Sequence, residues 1–141
     1  MINKFQKSVE LSHALYDEKS ILRCQHFCYI WYKDRIISIG RNSVKTNTTT
    51  FYYNPKINKD GKNISGFTGT CAELNAFLRL KNKTNIKTEK CILVNIRIDN
   101  NKKLNFSHPC LSCVSLLRFL NFKKIYFSNK NEQFEEFLVD N

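Results

Sequence analysis

Three cysteines and one glutamate in this chain have the types and spacing of a metal-assisted proton-transfer site. Cys110 follows directly on Pro109, and Cys113 comes three residues after Cys110. Residues three apart on a helix share a face, so both sulfurs can reach one ion. Proline is tolerated at a helix start because it has no N–H to leave unpaired there, so Pro109 is expected to open that helix. Cys71, in the run Cys71-Ala72-Glu73, begins another helical segment and can bring a third thiolate from a facing helix. Both helix N-termini would point at the site, where their partial positive charge favours thiolates. Three protein ligands leave a fourth tetrahedral position for water, which is the arrangement of a catalytic zinc site rather than a structural one. Glu73, two residues past a ligand, is directed away from the ion and suited to hydrogen-bond that water as a proton shuttle.

The surrounding pattern supplies elements to position these groups. Phe5, Val9, Leu11, Ala14 and Leu15 recur at loosely helical spacing and predict a first helix from Phe5 to about Ser20. The aromatic run Cys24 to Tyr32 reads as a strand and Lys33-Asp34-Arg35 as a turn. Ile36 to Ile39 reads as the returning strand, ended by Gly40. Residues 43–69 are polar, with turn signals at Asn54-Pro55 and Asp60-Gly61, and a loop of that length is usually functional. Leu74, Ala76, Phe77, Leu78 and Leu80 predict the second helix, and Cys91 to Ile98 a strand. Val114, Leu116, Leu117 and Leu120 mark the third helix, and Lys124 to Ser128 a further strand. The tail from Gln133 to Val139 fits a hairpin partner or a short helix equally well. No repeat or linker interrupts the 141 residues, so one α/β domain with a mixed sheet covered by helices is expected.

Composition narrows the class further. With 42% hydrophobic and 25% charged residues the chain is globular rather than disordered. No apolar run reaches membrane-spanning length, and the N-terminal residues lack a signal-peptide stretch, so no membrane partner and a cytoplasmic location are expected. In that compartment closely spaced cysteines serve metals or catalysis more often than disulfides. A formal charge of +11 favours partners that carry phosphate. The basic residues are mostly lysine and are scattered rather than gathered into one stripe.

Paired with Pro109-Cys110-Leu111-Ser112-Cys113, the run Thr70-Cys71-Ala72-Glu73 resembles the zinc-dependent cytidine/deoxycytidylate deaminase superfamily. Glu73-Leu74-Asn75-Ala76 is closer to the deoxycytidylate form. Ile37 to Asn42 and Lys124 to Ser128 resemble the superfamily's strands on either side of the metal helices. The resemblance spans roughly Phe5 to Ser128 and implies a three-layer α/β/α sandwich with a mixed sheet of about five strands. It also implies one Zn2+ per chain on Cys71, Cys110 and Cys113, with Glu73 as catalytic acid and base. The expected reaction is hydrolytic deamination of cytosine to uracil in a free nucleotide or nucleoside. The Ala72 backbone N–H would hold the cytosine carbonyl, Asn42 the sugar, the His108 carbonyl the exocyclic amine and Lys45 a phosphate. A homo-oligomer is expected. Leu74 stands where cytidine deaminases carry an arginine that offsets three thiolates, so the helix dipoles or a basic residue such as Arg41 must compensate.

Each singled-out residue also has a plainer reading. Cys24, His26 and Cys28 alternate along one strand face, but buried core residues fit them better than ligands do. Cys91 is expected in the core and His13 exposed. The His108 ring is a weaker alternative as a fourth metal ligand, and Asn42 also fits a turn residue. Two other functions remain open: cytosine deamination in single-stranded or flipped-out nucleic acid, and a zinc-stabilised nucleic-acid-binding module without catalysis. Glu73 argues against the second, because a structural site needs no acid there.

Overall fold

The computed structural model describes residues 3–20, 22, 24–43, 71–81, 85–109 and 111–138. Helix α1 (Lys4–Leu15) is followed by β1 (Gln25–Tyr32) and β2 (Arg35–Arg41), then α2 (Ala72–Lys81) and β3 (Ile92–Ile98). A two-residue strand β4 (Leu104–Asn105), helix α3 (Leu111–Leu120), β5 (Lys124–Ser128) and β6 (Phe134–Glu136) complete the order. The six strands form one sheet in the order β2-β1-β3-β5-β6, with β4 beside β3. β3 and β5 run parallel, and the other pairs run antiparallel. Helices cover both faces, so the sheet is the middle of three layers.

Alternation along β1 and β3 sorts their side chains between the two faces. Phe27, Tyr29, Trp31, Val94, Ile96 and Ile98 face α1, whose Phe5, Val9, Leu11 and Leu15 pack on them. Cys28, Ile30 and Leu93 face the other way, under Ala72, Leu74, Ala76 and Leu80 of α2 and Leu116, Leu117 and Leu120 of α3. The Asn3 side chain caps α1 by accepting from the Gln6 N–H at 3.1 Å. The helix ends at Leu15, short of the expected Ser20, because Tyr16 takes an extended ψ of 128°.

The β1–β2 hairpin forms where the aromatic and β-branched run predicts it, and β2 continues through Gly40 to Arg41. Its register slips between Ile30 and Trp31. The extra residue of such a bulge turns two neighbours to one face, and Ile37 and Ser38 both lie on the α2 side. The tail is settled as a strand, with Phe134 pairing Ser128 and Glu136 pairing Tyr126. Among the described residues no helix is long and apolar enough to cross a membrane.

Candidate active site

Gly40 sets the position of Glu73. A Cβ on Gly40 would stand 2.2 Å from the Ala72 carbonyl oxygen and 2.3 Å from the Ala76 nitrogen, both backbone atoms of α2. Only a residue without a side chain lets the first turns of α2 lie this close to β2. Side chains then hold the pair together. Ser38 Oγ donates to the Ala76 carbonyl at 2.6 Å, and the Arg41 N–H donates to Asn75 Oδ1 at 3.0 Å. Arg79 Nη1 donates to the Ile39 carbonyl at 3.3 Å. The outer edge of β2 is thereby capped by α2, which also blunts an edge strand.

Glu73 is 5% exposed in the first turn of α2. Its carboxylate is felt by Cys28 on the sheet below. Burial first, and then Glu73, push the Cys28 thiol well above its ordinary range. Cys28 is therefore a neutral, inert core thiol, as expected of it. Asn95 lies directly across from Cys28 in the β1–β3 register and shares its face. Cys28, Glu73 and Asn95 thus belong to one buried patch between the sheet and α2.

Of the three expected metal ligands, Cys71 is half-buried immediately before α2 and Cys113 is 2% exposed near the start of α3. The two helices pack on one another. Cys110 and Lys45 lie outside the described residues, as do all but one of the residues of the 43–69 loop. Among the described residues no three metal-ligating side chains converge. The donor types suit zinc: Cys71 and Cys113 lie near the starts of two helices that pack on one another.

The segment that leads into α3 is pinned by serines that sequence reasoning passed over. The Ser107 N–H donates to the Ser128 carbonyl at 2.9 Å, and the Ser128 N–H donates to Ser107 Oγ at 2.7 Å. Ser107 Oγ in turn donates to the Asn95 carbonyl at 2.9 Å, and Ser128 Oγ to the Asn105 carbonyl at 2.7 Å. Pro109 is thereby fixed against β3 and β5. The His108 ring is exposed and turned into an aromatic cluster, stacked on Phe106 at 5.6 Å and edge-on to Phe127 at 5.0 Å and Phe137 at 4.9 Å.

Asn42 has a structural task. Its Oδ1 accepts from the His26 N–H at 2.9 Å and its Nδ2 donates to the Cys24 carbonyl at 3.2 Å, closing the start of β1. One N–H and one lone pair remain for a ligand. It borders a cavity of about 330 Å³ together with Gln25, Arg41 and Asn75. Arg41 does not compensate the thiolates. Its side chain lies on the α1 face, 5.2 Å over the Phe27 ring, with Nη2 donating to the Leu15 carbonyl at 2.8 Å. Arg97, which lies across from His26 in the β1–β3 register, is a cation on the site's face of β3. Its signal in the sequence was a second polar residue at period two in the otherwise apolar run Ile92-Leu93-Val94-Asn95-Ile96-Arg97-Ile98.

No family model and no curated protein sequence matches the chain. Solved structures do. The dCMP deaminase of cyanophage S-TIM5 in its apo form aligns with a TM-score of 0.51 at 17% identity, over 89% of this chain and 79% of that one. The same enzyme in complex with dCMP and dUMP aligns at 0.52 and 17%, over 92% and 85%. The fold is cytidine-deaminase-like. The deaminase-like fold agrees with the expected sandwich and exceeds the expected strand number by one, because β4 adds a short hairpin to β3.

Proposed function

We propose that this protein catalyses the zinc-dependent hydrolytic deamination of a cytosine nucleotide, with a free deoxycytidylate-like substrate. The observation that carries this reading is Glu73. Its carboxylate is buried in the first turn of α2, two residues after Cys71, on a helix that Gly40 lets lie close against β2, and an acid in that position suits a proton shuttle. Cys71, Cys110 and Cys113 would hold the metal. Zinc there would supply a Lewis acid that makes water nucleophilic near neutral pH. Glu73 takes the proton from water, delivers it to N3 of the ring and then helps protonate the departing amine. The Ala72 N–H, at the helix start, would hold the cytosine carbonyl. The His108 carbonyl accepts from the exocyclic amine, and Asn42 offers its remaining N–H to the sugar. Lys45 is a further phosphate contact.

The fold's likeness to dCMP deaminases supports a nucleotide rather than a polymer. The discriminating experiment is incubation with cytidine, deoxycytidylate and a cytosine-containing oligonucleotide, measuring ammonia and the uracil product. Deoxycytidylate is expected to be converted most efficiently, with shallow salt dependence because one phosphate is engaged. Efficient conversion of the oligonucleotide with a steep salt slope would replace the substrate and keep the chemistry.

A further inference from the structure

We infer that Asn95 and Arg97, two residues apart on β3, form the substrate-reading wall of this site, with Asn95 accepting from the pyrimidine's 4-amino group and Arg97 holding the nucleotide's phosphate. The inference rests on the deaminase reading above and adds two binding residues to it. Among the described residues just two buried side-chain polar atoms lack a hydrogen-bond partner: Asn95 Oδ1 and Arg97 Nε. One is an acceptor and the other a cationic donor. Buried polar groups are otherwise nearly always paired, so orphans mark places completed by something outside the chain.

The two orphans share a face. Residues at i and i+2 of a strand project to the same side, about 7 Å apart along it. Asn95 is 2% exposed, and its Nδ2 donates to the Ser107 carbonyl at 3.4 Å. Exchanging its amide ends would set oxygen against oxygen, so Oδ1 stays an acceptor. Arg97 is half-buried. Its Nη2 lies 2.8 Å from Cys24 Sγ, its Nη1 donates to the Phe106 carbonyl at 3.4 Å, and no ion pair among the described residues includes it. A partly desolvated guanidinium without a carboxylate calls for an anion from outside, and its planar fork suits phosphate.

The order of the two residues matches the ligand. Asn95 faces buried Cys28, which feels Glu73, whereas Arg97 faces half-buried His26 near the end of β3. The reacting ring therefore lies deep and the phosphate at the mouth. An acceptor at the deep end favours the amine, which offers N–H, over the 4-oxo product, which offers only lone pairs. When water's oxygen bonds to C4 and the C4–N bond breaks, the ammonia that leaves is still an N–H donor to Asn95.

The test measures binding without turnover, using Glu73→Gln protein titrated calorimetrically with dCMP, deoxycytidine and dUMP. Adding Arg97→Gln should weaken dCMP by at least about tenfold and deoxycytidine by less than about twofold, because only dCMP presents the charge. Arg97→Lys should recover part of the loss. Adding Asn95→Leu should abolish the preference for dCMP over dUMP, and Asn95→Ala is read the same way if the leucine variant does not fold. Equal weakening of dCMP and deoxycytidine by Arg97→Gln, or none, overturns the phosphate assignment. A preserved dCMP-to-dUMP ratio in the Asn95 variants overturns the amine assignment, and no binding of any ligand overturns both. Tight, Arg97-dependent dCMP binding by a wild-type protein that releases no ammonia would sink the deaminase reading and leave the wall standing.

Discussion

The two faces of the sheet are built from alternate residues of the same strands, yet they treat polar groups in opposite ways. Among the described residues, each buried polar group on the α1 face is paired within the layer. Trp31 Nε1 donates to Ser8 Oγ at 3.1 Å, Ser12 Oγ donates to the Ser8 carbonyl at 2.8 Å, and Ser12 and Tyr29 share a hydroxyl contact at 2.8 Å. On the α2–α3 face a carboxylate is buried against the sheet, and an amide oxygen and a guanidinium nitrogen are left without partners. Unmade hydrogen bonds cost stability, about 1–3 kcal/mol for each buried group. Among the described residues, the unmade hydrogen bonds thus fall on one face of the sheet alone.

That contrast is open to direct attack. The largest effect is expected from Cys113→Ala, which should lower zinc content, melting temperature and turnover together. Cys91→Ala, another fully buried cysteine under the same helices, should keep its metal and lose only packing, about 1 kcal/mol. Stoichiometric zinc in the Cys113→Ala protein, read by metal analysis, would show that this face holds no such site. Next in size is Gly40→Ala. The added methyl must push α2 off β2, with an expected cost of about 1–3 kcal/mol in a denaturant titration. Turnover should fall further than stability, because Glu73 moves with the helix. A variant as active and stable as the parent would mean that the close approach does not set the site.

The smallest effect belongs to the closed face. Burial, above all, pushes the Tyr29 phenol up to about 12, against a minor lowering from its Ser12 hydrogen bond. The folded phenol keeps a proton that the unfolded one releases near pH 10. Its contribution is therefore fully present below about pH 10 and is lost as pH rises towards about 12. Tyr29→Phe should cost about 1 kcal/mol near neutrality and make the alkaline loss of stability shallower, with deamination unchanged. A change in turnover would break the division of labour between the faces.

Much of this arrangement was legible in the sequence where a pattern is long enough to repeat. The strand runs at Gln25–Tyr32 and Ile92–Ile98 and the helix from Ala72 have clear periods, and they formed as read. β4, with two residues, is too short to show alternation, and the three-residue β6 is defined by pairing with β5 rather than by its own composition. Arg41 departs from its expected place because adjacency in sequence is not adjacency in space. With Gly40 against α2, the period of two sends Arg41 to the opposite face. The placement of Cys71 and Glu73 at the start of a helix was visible from their motif. The pinning of Pro109 by Ser107 and Ser128 was not, since two serines 21 positions apart carry no periodic signal.

The most direct measurement of the central claim is ammonia release from deoxycytidylate by wild-type and Glu73→Gln proteins of equal zinc content. Removing a positioned general acid–base is expected to cost roughly 10²–10⁴-fold in turnover, while zinc, fold and melting temperature stay as in the parent. A Glu73→Gln protein that releases ammonia at the wild-type rate would contradict the account, because the buried carboxylate would then have no part in the chemistry.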